Sequence, residues 1–361
     1  MSNSLGHKYR VQIFGQSHSE MIGCVIEGLP AGIAPDMDFI NAFMARRAPG
    51  GALSTARREA DLPRIVSGLN EFGTTCGAPL TALIANADTR SRDYANLRDV
   101  PRPGHADYTA SVKFGGSNDI RGGGQFSGRL TAPLCFAGAL ALQQLSAVGV
   151  RVRARIQRIA GIADADIDLA HPPMDEIAAE GLPCVDAQAA RRMADAILAA
   201  REQGDSVGGV IECFATGLPA GLGEPMFDGV ENRIAQAIFG IPAVRGVEFG
   251  LGFAAADLRG SEHNDPFRMD GGRVVTETNR HGGALGGITS GMPLVVRAAF
   301  KPTPSIAQAQ RSVSLSRGED APLEIRGRHD PCIVPRAVPC VEAAVACALY
   351  DMILESPEHP A

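Results

Sequence analysis

The chain has 361 residues, of which 20% are charged and 45% belong to the AVILMFWYC set, so it is long enough to bury a large core. Its formal net charge is −6, Trp is absent, and aromatic residues make up 5%. A general nucleic-acid binder is more often basic, and a stacking platform for bases or sugars needs exposed rings, so neither function is expected.

The eight cysteines show no C-x-x-C spacing, which argues against a zinc site or a thioredoxin-type motif, and no other ligand pattern predicts a metal held by the protein. The first ten residues, "MSNSLGHKYR", have no apolar signal region, and no apolar run approaches the roughly 18–20 residues that cross a bilayer. We therefore expect a cytoplasmic protein with reduced thiols and no membrane segment.

The N-terminal third predicts two strands, a helix and a third strand. The strands "VQIF" and "IGCVIEG" flank the polar turn "GQSHSE", which carries His18. "PDMDFINAFMARRAPG" then predicts a short helix, because proline and acidic residues precede it and Pro-Gly follows it. "APLTALIAN" is the third strand.

The stretch "NDIRGGGQFSGRLTA", residues 118–132, places three glycines before a predicted helix. It has no lysine for a Walker A motif and no third glycine for a dinucleotide fingerprint. Arg121 and Arg129 flank the glycines and Ser127 offers a hydroxyl, which are groups that bind an anion at a helix N-terminus. A sharp turn before a helix is the equally weighted alternative.

Beyond this loop, "LTAPLCFAGALALQQLSAVG" predicts a buried helix, "RVRARIQRIAGI" a strand and "DAQAARRMADAILAAREQGDS" an amphipathic helix. "VIEGLPAG" at 25–32 and "VIECFATGLPAG" at 210–221 resemble each other, and each precedes a predicted helix. Chance explains such an echo about as well as an internal pseudo-symmetry of two halves around one core. We expect a single domain over 1–361 with a frayed tail at 356–361.

The C-terminal third predicts strands paired across glycine turns in "RVVTETNRHGGALGGITSGMPLVVRAAF", followed by a phosphate grip at "KPTPSI". "GRHDPCIVPRAVPCVEAAVACALYDMILES" then reads as a loop that leads into a long apolar helix.

Three histidines, His18, His105 and His329, lie in loops that contain Gly or Pro, and the last two have Arg and Asp close by in the sequence. Each alone is more often structural, but such loops are where sites are built. A phosphate bound nearby would favour the imidazolium, which can protonate a leaving oxygen. Asp330 precedes Pro331, so it is either a rigid projecting base or an Asx-turn residue.

Arginines recur beside Gly/Pro turns at 46–47 and again at 57–58. A solvated face is the more common role for such runs and is preferred for 57–58. Their concentration in an acidic chain nevertheless favours a site for a multiply charged anion.

Seven segments, taken together and in this order, resemble the chorismate synthase family. They are "FGQSHSEMIG", "RRAPGG", "RPGHADYT", "RGGGQFSGRLTAP", "GGALGGITSGMPL", "KPTPSI" and "GRHDPCIVPRAVPCVEA". The resemblance implies an α+β fold, a β-α-β sandwich with helices packed between antiparallel sheets, and a homotetramer. It also implies the conversion of 5-enolpyruvylshikimate 3-phosphate to chorismate by a 1,4-anti elimination of phosphate, with reduced FMN and no net redox change.

The resemblance assigns catalytic roles to three residues. His18 corresponds to the acid that assists phosphate departure, and His105 to the group that protonates or steadies the reduced flavin around N1. Asp330 corresponds to the carboxylate that removes the C6 proton together with flavin N5.

The resemblance also assigns binding roles. Arg47, Arg102 and Arg129 correspond to arginines that hold the substrate anions. The positions expected to hold the flavin are Gln125, Phe126, Ser127, Pro242, Ala243, Gly286, Lys301, Pro302, Thr303, Pro304, Ser305 and Arg328.

The chain departs from the family pattern at several positions. "GQSHS" stands where the family usually has "GESHG", which introduces Gln16 and Ser19, and "GGGQFSG" stands where it has "GGGRSSA", which introduces Gln125 and Phe126. Ala52 replaces an arginine often found there, so a nicotinamide contact lacks support at that position. Reduction of the flavin by NADPH or by an outside reductant is left open.

Two other functions stay open on the residues alone. The altered "GQSHS" and "GGGQFS" segments fit a catalytically silent FMN-binding or assembly protein. The arginines by themselves fit a phosphosugar isomerase or another enzyme with a phosphate site.

Overall fold

The protein is described by a computed structural model that covers residues 3–50, 53, 61–87, 91–325 and 329–356. Its α-helices in this part of the chain are α1 Met37–Arg47, α2 Asp107–Lys113, α3 Thr131–Ala147, α4 Ala187–Glu202, α5 Val230–Phe239, α6 Gly260–His263 and α7 Val334–Glu355. Its strands are β1 Ser4–Leu5, β2 Arg10–Gly15, β3 Met21–Glu27, β4 Arg64–Ser67, β5 Leu80–Ala85, β6 Arg151–Ile159, β7 Ile162–Ala163, β8 Gly209–Thr216, β9 Val244–Phe249, β10 Phe267–Asp270, β11 Arg273–Thr276, β12 Ala284–Leu285, β13 Ile288–Thr289, β14 Leu294–Phe300, β15 Gln310–Ser314 and β16 Glu319–Leu323.

The first large sheet has the strand order β1-β2-β3-β5-β4, with every neighbouring pair antiparallel. β3 is its central strand, and its register with β5 runs from Met21 opposite Ala85 to Ile26 opposite Leu80. Ile22, Cys24 and Ile26 alternate along β3 and are all buried, so one face of the sheet belongs to the core.

The second large sheet has the order β7-β6-β8-β14-β9 and is also antiparallel throughout. β8 is its central strand and is buried on both faces. Ile211 and Cys213 belong to the main core, whereas Phe214 belongs to a second cluster with Met174 and Ile177. This double coverage explains why β8 has an almost uninterrupted apolar sequence.

Helices α3 and α7 pack against each other between the two sheets, α3 on the side of β3 and β5 and α7 on the side of β6 and β8. A Cβ atom placed on Gly138 of α3 would overlap Ala343 of α7, so the two backbones approach closely. Because both helices are enclosed, they are apolar on nearly every side. The expected α+β sandwich, with helices between antiparallel sheets, is confirmed.

Two segments are long and apolar enough to cross a membrane by length and composition, Gly128–Ala147 and Val334–Glu355. The expectation that no segment reaches this length was wrong. Within the protein, however, 72% and 94% of these windows are buried, which is the pattern of core helices. Their apolarity is explained by their position between the sheets.

Asp36 begins α1 as its N-cap, since its carboxylate accepts a hydrogen bond from Phe39 N–H at 3.0 Å.

The echoed segments 25–32 and 210–221 contain the ends of β3 and β8, which are each the central strand of their sheet. One continuous core contains residues from both sheets, from Tyr9 to Ile353, and this favours the single domain, which stays a prediction. Most of the predicted tail, 357–361, lies outside the described residues.

Candidate active site

A cavity of about 530 Å³ opens where the glycine loop before α3, the loop before α2, the end of α5 and the segment after β14 meet. Thirteen of the residues expected to bind substrate or cofactor, or to act in catalysis, line it. They are Arg47, Arg102, His105, Gln125, Phe126, Ser127, Arg129, Pro242, Ala243, Lys301, Thr303, Pro304 and Ser305. The fold therefore brings together segments that are far apart in the sequence.

Arg102 is buried and tied to the loop that leads into α2. Its Nε and Nη2 atoms donate to the two oxygens of Asp107 at 2.7 and 2.8 Å, and its Nη1 donates to Ser305 Oγ at 3.1 Å. Burial alone would raise the pKa of Asp107, but hydrogen bonds from Arg102 and His105 outweigh it and hold that pKa well below its usual range. Asp107 is thus an ionised carboxylate that fixes both residues.

The hydrogen bonds of His105 determine its tautomer. Its Nδ1 lies 2.7 Å from Asp107 Oδ1 and 3.2 Å from Arg102 Nη2. A guanidinium has no acceptor, and one ring nitrogen cannot both donate to Asp107 and accept from Arg102. The shorter contact decides, so Nδ1–H donates to Asp107 and Nε2 faces the glycine loop.

Arg47 and Arg129 share one buried carboxylate, that of Asp61. Each guanidinium donates through Nη1 to a different oxygen of Asp61, whose side chain has no exposed surface. Arg47 Nε also donates to Thr131 Oγ1 at 3.0 Å, and Arg129 Nε donates to Asn86 Oδ1 at 2.8 Å. Burial raises the pKa of Asp61, but the two guanidinium groups reverse this and lower it overall.

Asp330 lies next to the cavity and pairs with Arg336. Arg336 Nη1 donates to Asp330 Oδ2 at 2.6 Å, and Nε donates to the Arg47 carbonyl at 3.0 Å. Arg336 itself lines the cavity, as does His329. Burial is the main reason that the pKa of Arg336 is lowered, although Asp330 opposes it. The ion pair orients the carboxylate of Asp330 beside the arginine cluster.

Two of the three glycines of the loop pack closely against histidines, and the third, Gly124, packs against the backbone of Asp119. Gly122, Gly123 and Gly124 all have positive φ, at 60°, 85° and 55°. A Cβ on Gly122 would overlap the His18 ring, and a Cβ on Gly123 would lie 3.2 Å from His105 Nε2. Only glycine fits such a backbone against these rings.

His18 lies behind this loop, outside the set of residues that line the cavity. Its ring contacts Tyr94 edge-on, with centroids 5.4 Å apart and planes at 69°. Tyr94 and Gly122 both line the cavity, so His18 forms a second layer in its wall.

The groups expected to bind an anion at the glycine loop differ in their placement. Ser127 accepts from Arg129 N–H at 3.2 Å and so caps the turn before α3, while it also lines the cavity. Arg121 instead pairs with Asp119 at 2.8 Å on the surface and is 49% exposed. Arg129 is therefore the loop's cation in the cavity.

Some expected residues are not in the cavity wall. Gly286 lies in the turn between β12 and β13, and Pro302 lies between two lining residues. Arg328, like Ala52 and the arginines at 57–58, lies outside the described residues.

Three positions that depart from the family pattern, Gln16, Gln125 and Phe126, line an adjoining cavity of about 230 Å³. Ser19 Oγ donates to the Met21 carbonyl at 2.7 Å and accepts from Gln16 N–H at 3.0 Å, so this hydroxyl closes the turn that carries His18. Gln125 and Phe126 therefore lie in the wall of both cavities, and Gln16 lies in the wall of the smaller one.

Sequence reasoning missed three charged side chains that form ion pairs at the cavity. Asp107 had a signal, because it lies two residues after His105, and Arg336 lies within the segment "VPRAVP" that carries part of the family resemblance. Asp61 had no signal in the sequence, since it follows an arginine run and only the fold brings it to Arg129.

The arrangement favours a multiply charged anion. In the described part of the chain, Arg47, Arg102, Arg129, Arg336 and Lys301 line the cavity, and Asp61, Asp107 and Asp330 pair with these arginines. Five cations against three carboxylates leave a formal charge of +2. The pKa of Lys301 is lowered mainly by burial and then by Arg245, which an anion would offset.

A family model described as chorismate synthase matches residues 9–354. The chain is 51% identical over 342 residues to a curated protein of Thermococcus gammatolerans named chorismate synthase, covering 95% of each chain. It is 44% identical over 372 residues to the protein of that name in Lancefieldella parvula, covering 99% and 98% of the two chains.

A solved structure is also similar. Its title is "Crystal Structure of Chorismate Synthase", and it superposes with a TM-score of 0.75 at 28% sequence identity. The match covers 97% of this chain and 93% of that one. The similarity therefore extends over the whole sandwich and the loops that build the cavity.

Proposed function

The chain belongs to the chorismate synthase family of carbon–oxygen lyases, and on this premise we propose that it eliminates phosphate from 5-enolpyruvylshikimate 3-phosphate to form chorismate, with reduced FMN as cofactor. The observation that carries the proposal is the convergence of four arginines, Lys301 and His105 on one cavity. A substrate with two carboxylates and a phosphate needs such a cluster.

Arg47, Arg102 and Arg129 hold the substrate anions in this proposal, and Arg336 joins them. Each of the four guanidinium groups is positioned by a carboxylate before any ligand binds. Positive groups that are already oriented stabilise charge on a departing phosphate without reorganising during the reaction.

The volume and the lining residues of the cavity fit a flavin. Its volume of about 530 Å³ lies within the range of about 300–1,000 Å³ typical of small-molecule sites. Phe126, Pro242 and Ala243 give it apolar surface, while Lys301, Thr303 and Ser305 offer polar groups for a phosphate. When bound, reduced FMN would supply electron density to the allylic centre, with Lys301, Thr303 and Ser305 placed to hold its phosphate.

The proton-handling groups have separate places. His105 presents Nε2 beside the glycine loop and is assigned to the flavin edge. Asp330, oriented by Arg336, is assigned to remove the C6 proton. His18 is assigned to protonate the departing phosphate, from its position against Gly122 and Tyr94. The C3–O bond and the C6–H bond are the two bonds that break.

An anaerobic assay tests the proposal: 5-enolpyruvylshikimate 3-phosphate is supplied with dithionite-reduced FMN, and chorismate is followed. We expect turnover, and a loss of about 10²-fold or more in kcat for His105→Ala and Asp330→Asn, because such groups contribute about 10²–10⁴-fold. His171→Ala is the matched control, since His171 is an exposed histidine paired with Asp168 and should be fully active.

The outcomes separate the alternatives. FMN binding without turnover by the unaltered protein would favour a silent flavin-binding or assembly protein. If the unaltered protein showed no FMN binding and no turnover, the result would favour a phosphosugar isomerase or another enzyme with a phosphate site.

A homotetramer and a cytoplasmic location are further proposals that follow from the family. Sedimentation equilibrium checks the first. The same assay with NADPH and oxidised FMN in place of dithionite determines whether the protein reduces its own flavin.

A further inference from the structure

Two thiols touch each other at the wall of the cavity. Cys135 on α3 and Cys340 on α7 have their sulfur atoms 3.8 Å apart, and both residues are buried. A disulfide requires about 2.05 Å, so the sulfur atoms need to approach by about 1.8 Å.

The two helices are already close on this face. One helical turn further along, Gly138 of α3 lies directly against Ala343 of α7. A Cβ atom on Gly138 would overlap the side chain of Ala343. A disulfide needs neighbouring Cα atoms within about 7 Å, and close backbone contact of this kind favours that separation.

The two thiols differ in their surroundings. Both cysteines belong to the main core, and of the two only Cys340 also lines the cavity. The hydrogen bond from Cys135 is the first cause that lowers the pKa of Cys340 to about 7; burial opposes it, and Arg47, Thr131 and Arg336 support it. Burial raises the pKa of Cys135 well above its ordinary value. Cys340 is therefore the thiol of the pair with the lowered pKa, and it is the one that lies on the cavity wall.

We propose that Cys340 and Cys135 form an oxidisable thiol pair, in which Cys340 reacts with a small disulfide in the cavity and Cys135 completes an internal disulfide. The Cys340 thiolate attacks one sulfur of the reagent and releases one thiolate. Cys135 loses its proton, attacks the Cys340 sulfur and releases the second thiolate. The protein loses two electrons and two protons, and the reagent is reduced to two thiols.

The test uses the full chain with Cys76→Ser, because Cys76 is the exposed cysteine among those described and would react first. The protein is incubated with oxidised glutathione, digested without reduction and analysed by mass spectrometry. We expect a peptide pair joined through Cys135 and Cys340. When Cys135→Ser is added, we expect glutathione to remain on Cys340, since no second thiol displaces it.

Cys213 is the internal control, because it is buried, its pKa is raised well above the ordinary value by burial, and it does not line the cavity. In the folded protein, iodoacetamide should alkylate Cys340 at least about tenfold faster than Cys213. No Cys135–Cys340 link in the folded Cys76→Ser protein would overturn the proposal, as would equal alkylation of Cys340 and Cys213. This test needs no turnover, so failure of the proposed activity does not affect it.

Discussion

Asp61 is the residue on which two of the proposed substrate arginines depend. It is buried, it has a φ of 50°, and it accepts from both Arg47 and Arg129. A buried carboxylate between two guanidinium groups is strongly favoured in its ionised form. Asp61 thus holds two guanidinium groups in place at the cavity, and the three groups together keep a formal charge of +1.

We expect Asp61→Asn to lower the free energy of unfolding by about 3–5 kcal/mol, because removing one partner leaves buried charges uncompensated. Since its folded pKa is lowered, the stabilisation by Asp61 is complete above the unfolded value of about 3.9 and is lost as pH falls through the folded pKa. Urea unfolding followed between pH 7 and pH 3 measures both effects, and the variant should lose less stability than the parent protein on acidification.

The control for Asp61 is Asp119→Asn, which breaks the surface pair with Arg121. Surface pairs contribute little, so this variant should unfold almost like the parent. Equal stability of the Asp61 and Asp119 variants would contradict the role given to Asp61.

Asp107 acts on the chemistry through His105 and is a positioning residue. Asp107→Asn places an amide that can donate to Nδ1, and this would reverse the tautomer that the carboxylate fixes. We expect kcat to fall by about a hundredfold, within the range that such groups supply, and the pH profile of kcat to shift. Nitrogen NMR of the imidazole ring reads the tautomer directly.

Asp168→Asn is the matched control for Asp107. Asp168 makes the same kind of contact with His171, at 2.9 Å, but both side chains are exposed. We expect full activity in Asp168→Asn. Full activity in Asp107→Asn, together with an unchanged tautomer of His105 in that variant, would refute the positioning role.

At the scale of elements, the loop 121–127 shows how a glycine run can serve packing. Its backbone passes between His18 and His105, and the Gly124 carbonyl accepts from Ser17 N–H at 3.1 Å. The loop therefore holds the turn that carries His18 against the wall that carries His105. Contact with the two rings explains Gly122 and Gly123, and anion binding by Ser127 and Arg129 stays a prediction.

Gly122→Ala tests this packing. We expect it to displace His18 and to lower stability by about 1–3 kcal/mol, because a methyl group would overlap the ring and φ is positive. Thermal unfolding and the proton NMR shifts of the His18 ring measure the two effects.

Gly115→Ala separates backbone strain from overlap. Gly115 has a φ of 56° but nothing within 4 Å of an added Cβ. If Gly122→Ala and Gly115→Ala lost the same stability, backbone strain alone would explain the effect at Gly122. The contact with His18 would then contribute nothing to the stability.

The elements that could be predicted from the sequence are those with strong patterns. The buried helices α3 and α7 and the strands β3 and β8 were expected, because a long apolar run or a regular alternation is compatible with few kinds of structure. The strand β4 was missed, since it lies at a sheet edge with mostly exposed side chains. The short helix α2 was also missed, because only two of its seven residues are buried.

The site could be predicted only in part, for a reason of scale. His105, Arg102 and Asp107 lie within six residues, so their proximity could be anticipated from the sequence. Asp61 and Arg129 are 68 positions apart, and no local rule predicts that their side chains meet. Folding of the chain, rather than propensity, creates that contact.

At the scale of the whole molecule, buried carboxylates on α7 connect the layers. Asp351 accepts from the backbone N–H groups of His7, Lys8 and Tyr9 at 2.7–3.0 Å and from Arg233 on α5. One side chain near the C-terminus of the described chain therefore holds both the segment before β2 and a neighbouring helix. Glu342 connects α7 to β6 and to α1. It accepts a hydrogen bond from Ala154 N–H of β6 at 2.8 Å and pairs with Arg46 of α1.

Asp351→Asn should consequently destabilise the whole sandwich. We expect a loss of about 1–3 kcal/mol, because one amide oxygen cannot satisfy three N–H groups and a guanidinium, while Glu355 still pairs with Arg233. Tyr9 and Tyr350 lie at this connection with ring centroids 5.1 Å apart, and the chain has no Trp, so tyrosine fluorescence reports it. Urea unfolding followed by fluorescence and by circular dichroism should give coincident transitions at a lower urea concentration than in the parent protein.

Glu27→Gln, which breaks an exposed pair with Arg10, is the control and should leave the midpoint of unfolding nearly unchanged. If only the fluorescence transition moved while the circular dichroism transition did not, Asp351 would stabilise the N-terminal segment alone, and the two layers would not depend on it.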